Sequence, residues 1–290
     1  LDNVLIGYDS LAGYLEDSYY MGATIGRFAN RIADASFTID RKTFHLEAND
    51  GNNTNHGGFS GFHNKVWQWE ELPDGIRFSL YSPDGEGGFP GNIRVITDYR
   101  FNEDNELSVR HYAETDCATY INMTNHAYFN LCGKGKKITE HRLHIPADRI
   151  LDTTPAFIPT GKRMNVKNTP FDFTSLKPIG TDLYADHEQL LWNKGYNHCY
   201  ILKDEISVEM LEAASLYEPV TGRNMTVMTD LPAVLLYTAG YYERPDTAVC
   251  LETQFYPDTP SHSDFPSCLV LPEKAYEHCT LFHFQVQKEE

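Results

Sequence analysis

The chain has 290 residues, with 24 lysines and arginines against 41 aspartates and glutamates, a formal net charge of −17. So acidic a protein lacks the basic face that nucleic acid or an anionic membrane would require, and the charge suits a neutral substrate. A hydrophobic share of 41% and an aromatic share of 13% argue against disorder, and no apolar run approaches the length of a membrane helix. The length suits one large β domain or two small ones. The six cysteines (Cys117, Cys132, Cys199, Cys250, Cys268 and Cys279) form no Cys-x-x-Cys pair, which speaks against a zinc knuckle or thioredoxin-type site. Most lie in apolar runs, where a free thiol packs as a small hydrophobe, so reduced thiols in a cytoplasmic protein are expected.

In chain order, hydrophobic periodicity is mostly two, the mark of half-buried strands. Residues 36–48 predict a hairpin turning near Asp40-Arg41. Residues 65–82 predict another, broken at Pro73-Asp74-Gly75, where proline presets φ and glycine accepts positive φ. Residues 93–115 predict a third, turning through Asn102-Glu103-Asp104-Asn105. Further strands are expected at 118–131, 141–151, 198–203, 207–217, 225–237, 248–255, 268–272 and 279–286. Residues 152–185, rich in proline and threonine, read as a long ordered loop whose Phe157, Phe171 and Phe173 need burial. Only 182–193 has the character of a short helix. Many short strands with turn signals predict an all-β sandwich or barrel, and no repeat or linker divides residues 1–290.

Two strand-like segments carry the candidate chemistry. Thr124-Asn125-His126-Ala127-Tyr128 places an imidazole in an apolar run, and Cys250-Leu251-Glu252-Thr253-Gln254 does the same with a carboxyl. A half-buried carboxylate and an imidazole make a natural base and acid near neutral pH. Alone, each has a plainer reading as a rim charge or a satisfied core histidine. Tyr128, two residues from His126, would share its face on a strand and line the same cleft or simply fill core. His56 sits in Asn55-His56-Gly57-Gly58, where it could cap a turn, and Arg31 could be a surface ion pair. A metal set drawn from His56, His63 and His126 matches no common ligand spacing. His63, His111, His141, His144, His198, His262 and His278 read as structural.

Several longer motifs occur in one order. They are Gly26-Arg27-Phe28-Ala29-Asn30-Arg31-Ile32; Asn55-His56-Gly57-Gly58 with Gly61-Phe62 and Lys65-Val66-Trp67; and Gly88-Phe89-Pro90-Gly91-Asn92. Pro159-Thr160-Gly161, Thr169-Pro170-Phe171-Asp172-Phe173, Leu251-Glu252-Thr253-Gln254, Pro257-Asp258 and Phe265-Pro266-Ser267 follow. Together they resemble the galactose mutarotase (aldose 1-epimerase) family almost from end to end. The resemblance implies a single domain with a large antiparallel twisted β-sandwich and a sugar cleft on one sheet. By the same comparison the chain lacks the family's first few strands before Val4-Leu5-Ile6-Gly7-Tyr8.

The implied reaction interconverts the α and β anomers of a free hexose, galactose or glucose. It needs a base at O1 and an acid at the ring oxygen O5, and no metal or cofactor. The resemblance makes Glu252 the base and His126 the acid, puts His56 near the ring oxygen, and makes Asn30, Arg31, Tyr128 and Asn197 substrate contacts. The partner is a small monosaccharide, and the protein is expected as a monomer or homodimer. Two positions depart from the family. Gly195-Tyr196-Asn197-His198 carries Asn197 where an aspartate is usual, and Leu235 stands where a glutamine is usual. Intact proton chemistry with a shifted sugar preference is the expectation. The competing functions are a non-catalytic sugar-binding domain and a hexose-6-phosphate epimerase, the latter disfavoured by the lack of a second basic cluster.

Overall fold

The structure is a computed structural model that describes residues 3–287. It is an antiparallel β architecture dominated by two sheets. The larger has nine strands, ordered Lys177–Pro178, Arg142–His144, Leu211–Tyr217, Arg223–Thr229, Tyr276–Val286, Glu106–Thr115, Ile93–Phe101, Gly75–Ser82 and Gln68–Leu72. The smaller has five, ordered Pro159–Asn165, Arg149–Thr153, Asn197–Ile201, Ala233–Tyr237 and Cys250–Gln254. Both bury one face in a common core. Val109, Ala214, Leu216, Met225, Val227 and Phe282 from the large sheet join Ile150, Tyr200, Val234, Leu236 and Leu251 from the small one. The expected antiparallel sandwich is thereby the observed one.

The period-two rule positions the functional face. On the small sheet Val234, Leu236 and Leu251 point into the core, so Leu235, Tyr237, Cys250 and Glu252 project from the opposite face. Antiparallel pairing then sets Leu235 directly across from Glu252, and Asn197 across from Tyr237.

The hairpins at 36–45, 68–82 and 93–115 form where the turn residues predict them. Asp40 and Arg41 both adopt positive φ (48° and 67°), as a two-residue hairpin turn requires.

Other expectations are corrected. Residues 118–131 form three two-residue strands, Thr119–Tyr120, Thr124–Asn125 and Tyr128–Phe129, each pairing with a different partner. Residues 225–237 split into Arg223–Thr229 in the large sheet and Ala233–Tyr237 in the small one. Residues 141–151 likewise divide between the sheets around Pro146, which cannot donate a ladder hydrogen bond. The supposed loop at 152–185 contains a hairpin, Arg149–Thr153 with Pro159–Asn165. Its Phe171 and Phe173 are buried as expected, while Phe157 stays half-buried at the hairpin turn. The helix expected at 182–193 is confined to Glu188–Asn193, and a further short helix occupies Leu11–Leu15. All six cysteines are free.

Candidate active site

Glu252 comes from the edge strand of the small sheet. On that strand's open side runs the 124–129 segment, tied down by reciprocal backbone bonds between Phe129 and Val249 at 2.8 and 2.9 Å. His126 is held in the gap between two of its short strands. Its N–H donates to Ala23 O (2.9 Å), and its carbonyl accepts from Gly22 N–H (3.0 Å). This irregularity, which breaks the predicted long strand, turns the imidazole toward the carboxyl. His126 Nε2 lies 3.7 Å from Glu252 Oε1.

His56 and Asn30 lock each other from a neighbouring loop pair. The His56 N–H donates to Asn30 O (3.1 Å), and the Asn30 N–H donates to His56 Nδ1 (3.2 Å). Both residues sit at positive φ (50° and 65°), a sparsely populated conformation that the surrounding bonds impose. Gly57 is required here because a Cβ would stand 2.2 Å from Gly26 O. The glycine admits the neighbouring Gly26 backbone. Arg31 follows Asn30, with Nε on Asp50 at 2.6 Å and its guanidinium 4.8 Å over the Phe157 ring.

One pocket gathers all seven sequence-nominated residues: Asn30, Arg31, His56, His126, Tyr128, Asn197 and Glu252. Tyr128 stacks on His126 (ring centroids 5.1 Å apart), and its hydroxyl donates to Tyr19 O at 2.7 Å. Leu235 lines the pocket too, across the ladder from Glu252. Sequence reasoning missed Tyr20, Asn55, Phe157, Tyr237 and Tyr241. Tyr237 was recoverable, because it shares a strand face with Leu235. Tyr20 gave no signal. It reaches the site from a loop at positive φ, its ring packing 4.6 Å from His56 and 5.9 Å from His126. His111, His141 and His198 are buried with local partners at Thr97, Leu131 and Asn197, in keeping with structural roles.

The electrostatics follow from burial. Glu252 is 1% exposed, and neither carboxyl oxygen has a hydrogen-bond partner. Desolvation pushes its pKa from 4.5 up to about 8, against a small opposing pull from Arg31. Desolvation also lowers His126 from 6.5 to about 4 and holds His56 well below its ordinary value. Between about pH 4 and about pH 8 the Glu252–His126 pair therefore holds a single proton, resting on the carboxyl.

His56, His126 and Glu252 each bring one ligand atom within 4.8 Å of the others, as a cation site would. The Asn30 N–H on Nδ1, however, forces the neutral His56 ring to carry its proton on Nε2. A metal needs that nitrogen bare, so the trio suits hydrogen-bonding to a ligand oxygen better than ligation.

Comparisons with known proteins agree with this geometry. The family model for aldose 1-epimerase matches residues 1–283. Bovine galactose mutarotase is 38% identical over 298 residues, covering 98% of this chain and 84% of the relative. The aldose 1-epimerase of Escherichia coli is 34% identical over 293 residues, covering 97% of this chain and 84% of its own. Among solved structures, galactose 1-epimerase from Lactobacillus acidophilus superposes with a TM-score of 0.87 at 26% identity. That match covers 99% of this chain and 86% of the other. A full-length match, the shared sandwich and the motifs converging on one pocket have a common explanation: the chain belongs to the aldose 1-epimerase family.

Proposed function

We propose that the protein is an aldose 1-epimerase that interconverts the α and β anomers of a free hexose, galactose or glucose. The observation that carries this reading is a buried carboxyl with two unpartnered oxygens, 3.7 Å from a buried imidazole, in a pocket of aromatic rings and amides. A buried polar group left unsatisfied is costly, and a sugar hydroxyl is the natural donor to relieve it.

In this scheme Glu252, as carboxylate, takes the O1 proton while protonated His126 delivers one to O5, breaking the C1–O5 bond. Opening leaves Glu252 protonated and His126 neutral, the distribution the free pocket already favours. Rotation about C1–C2 presents the other aldehyde face. Closure runs both transfers backwards, so no net proton is consumed. For opening, the resting proton must pass from Glu252 to His126, which the O1 hydroxyl promotes by donating to the carboxylate. The Nε2–H of His56 donates toward the ring oxygen. Asn30, Arg31 and Asn197 hold hydroxyls, and Tyr128 and Tyr237 border the ring.

Among the described pocket residues Arg31 is the sole lysine or arginine, and Asp50 already engages it. That leaves little charge for a sugar phosphate.

Polarimetry on freshly dissolved α-galactose and α-glucose tests the reading. Equilibration is expected to accelerate strongly over the spontaneous rate and to survive EDTA. The kcat/KM should be flat between about pH 4 and about pH 8 and fall on both sides, where the pair holds two protons or none. Binding of sugar without acceleration would reduce the protein to a sugar-binding domain.

A further inference from the structure

The strands beside Glu252 bear on which way a bound sugar ring would run. Glu252 lies on the edge strand Cys250–Gln254, which has a sheet neighbour on one side only. That neighbour is Ala233–Tyr237, and it places Leu235 directly across from Glu252. The 124–129 segment with His126 flanks the other side, joined through Phe129 and Val249. The anomeric carbon has two ring neighbours, O5 and C2. With O1 at Glu252 and O5 at His126, as the proposed activity requires, C2 falls in the half of the pocket away from His126, where Leu235 stands.

Leu235 is 5% exposed and lines the pocket. It can neither donate nor accept a hydrogen bond, and the buried side chains packed behind it are Leu151, Cys199, Tyr256 and Phe265. On that side the next amide is Asn197, one strand further away and two residues along the ladder, across from Tyr237. A hydroxyl on C2 directed at this wall would lose water and gain no partner from Leu235, while a CH2 would be buried favourably.

We propose that Leu235 is a specificity-determining residue that tunes the pocket for aldoses without a hydroxyl next to the anomeric carbon, the 2-deoxyaldoses. The inference rests on the epimerase reading, and its test separates the two. Anomerisation of 2-deoxygalactose and galactose, and of 2-deoxyglucose and glucose, is followed by polarimetry with each spontaneous rate subtracted. In the unaltered protein kcat/KM is expected to favour the 2-deoxy sugar by roughly fivefold within each pair. Leu235→Gln, which supplies an amide for the C2 hydroxyl, is expected to shift the ratio toward the parent sugar. Leu235→Met, which stays apolar, should leave it in place. A ratio of one or below in the unaltered protein would overturn the proposal, as would a ratio that Leu235→Gln leaves unmoved. If Leu235→Gln fails to fold, the ratios of the unaltered protein and of Leu235→Met decide. No turnover of any of the four sugars would instead remove the epimerase reading, and this inference with it.

Discussion

Two buried ionisable groups in this protein are treated in opposite ways. Arg27 is 3% exposed, and its guanidinium is saturated. Nε donates to Ser82 Oγ (3.0 Å); Nη1 donates to the carbonyls of Pro90 (3.1 Å) and Gly91 (2.9 Å); Nη2 donates to Ser82 O (3.0 Å) and Pro83 O (2.7 Å). Burial lowers its pKa only to about 10, with Glu86 nearby opposing the shift, so it remains charged at neutral pH. Glu252 is buried more deeply, and neither carboxyl oxygen has a hydrogen-bond partner. The difference teaches how to tell structure from function among buried ionisable groups. A buried group whose every valence is met holds the fold together. One whose valences stay open is the candidate for meeting a ligand.

The sharpest way to break the comparison is to remove each group. Glu252→Gln and His126→Asn should each lower anomerisation by roughly 10²–10⁴-fold, since each is proposed to supply half of the proton exchange, while the fold persists. Near-normal polarimetric rates in either variant would end the catalytic assignment.

Arg27→Met should do the reverse. It orphans carbonyls at Pro83, Pro90 and Gly91, and a loss of about 3–5 kcal/mol in urea unfolding is expected. Material that remains folded should keep its activity. A loss below about 1 kcal/mol would show that the cage is not structural.

Stability against pH separates the two groups in one experiment. The Glu252 carboxyl has a folded pKa of about 8 against 4.5 unfolded, so the unfolded chain binds fewer protons at neutral pH. Its stabilising contribution is complete below pH 4.5 and is lost as pH rises to about 8. At pH 7 the loss is roughly 3 kcal/mol. Glu252→Gln lacks this slope, so its stability relative to the unaltered protein should improve by about that amount between pH 4.5 and pH 7. Parallel curves for the two proteins would mean that the carboxyl is not held neutral.

The smallest expected effect lies at the far wall. Asn197→Asp should strengthen use of galactose or glucose by about fivefold in kcat/KM, because charge-assisted hydrogen bonds to hydroxyls are stronger. The added carboxylate should also raise the pKa of Glu252 and extend the active range to higher pH. Unchanged or lower kcat/KM at every pH would mean that Asn197 does not touch these sugars.

Much of this was legible before the fold. Period-two patterning and turn residues such as Asp40-Arg41 located the hairpins, because a hairpin is decided by neighbours in sequence. The motifs nominated seven residues that one pocket gathers. Two motifs proved to be partners: the Arg27 guanidinium binds the carbonyls of the Pro90-Gly91 turn. Either could be read alone, but their contact spans more than sixty residues, a separation that local patterning does not encode.

The sequence by itself determined the β class and the family and nominated the groups proposed to exchange protons, since these rest on local alternation, motifs and residue chemistry. Only the tertiary structure decided where strands break and which sheet each piece joins, as in 118–131 and 225–237, because pairing partners compete across the whole chain. It alone brought Tyr20, Phe157 and Tyr241 to the pocket, set the tautomer of His56 through the Asn30 N–H, and buried Glu252. Desolvation depends on every atom packed around a group, so no window of sequence contains the carboxyl's raised pKa.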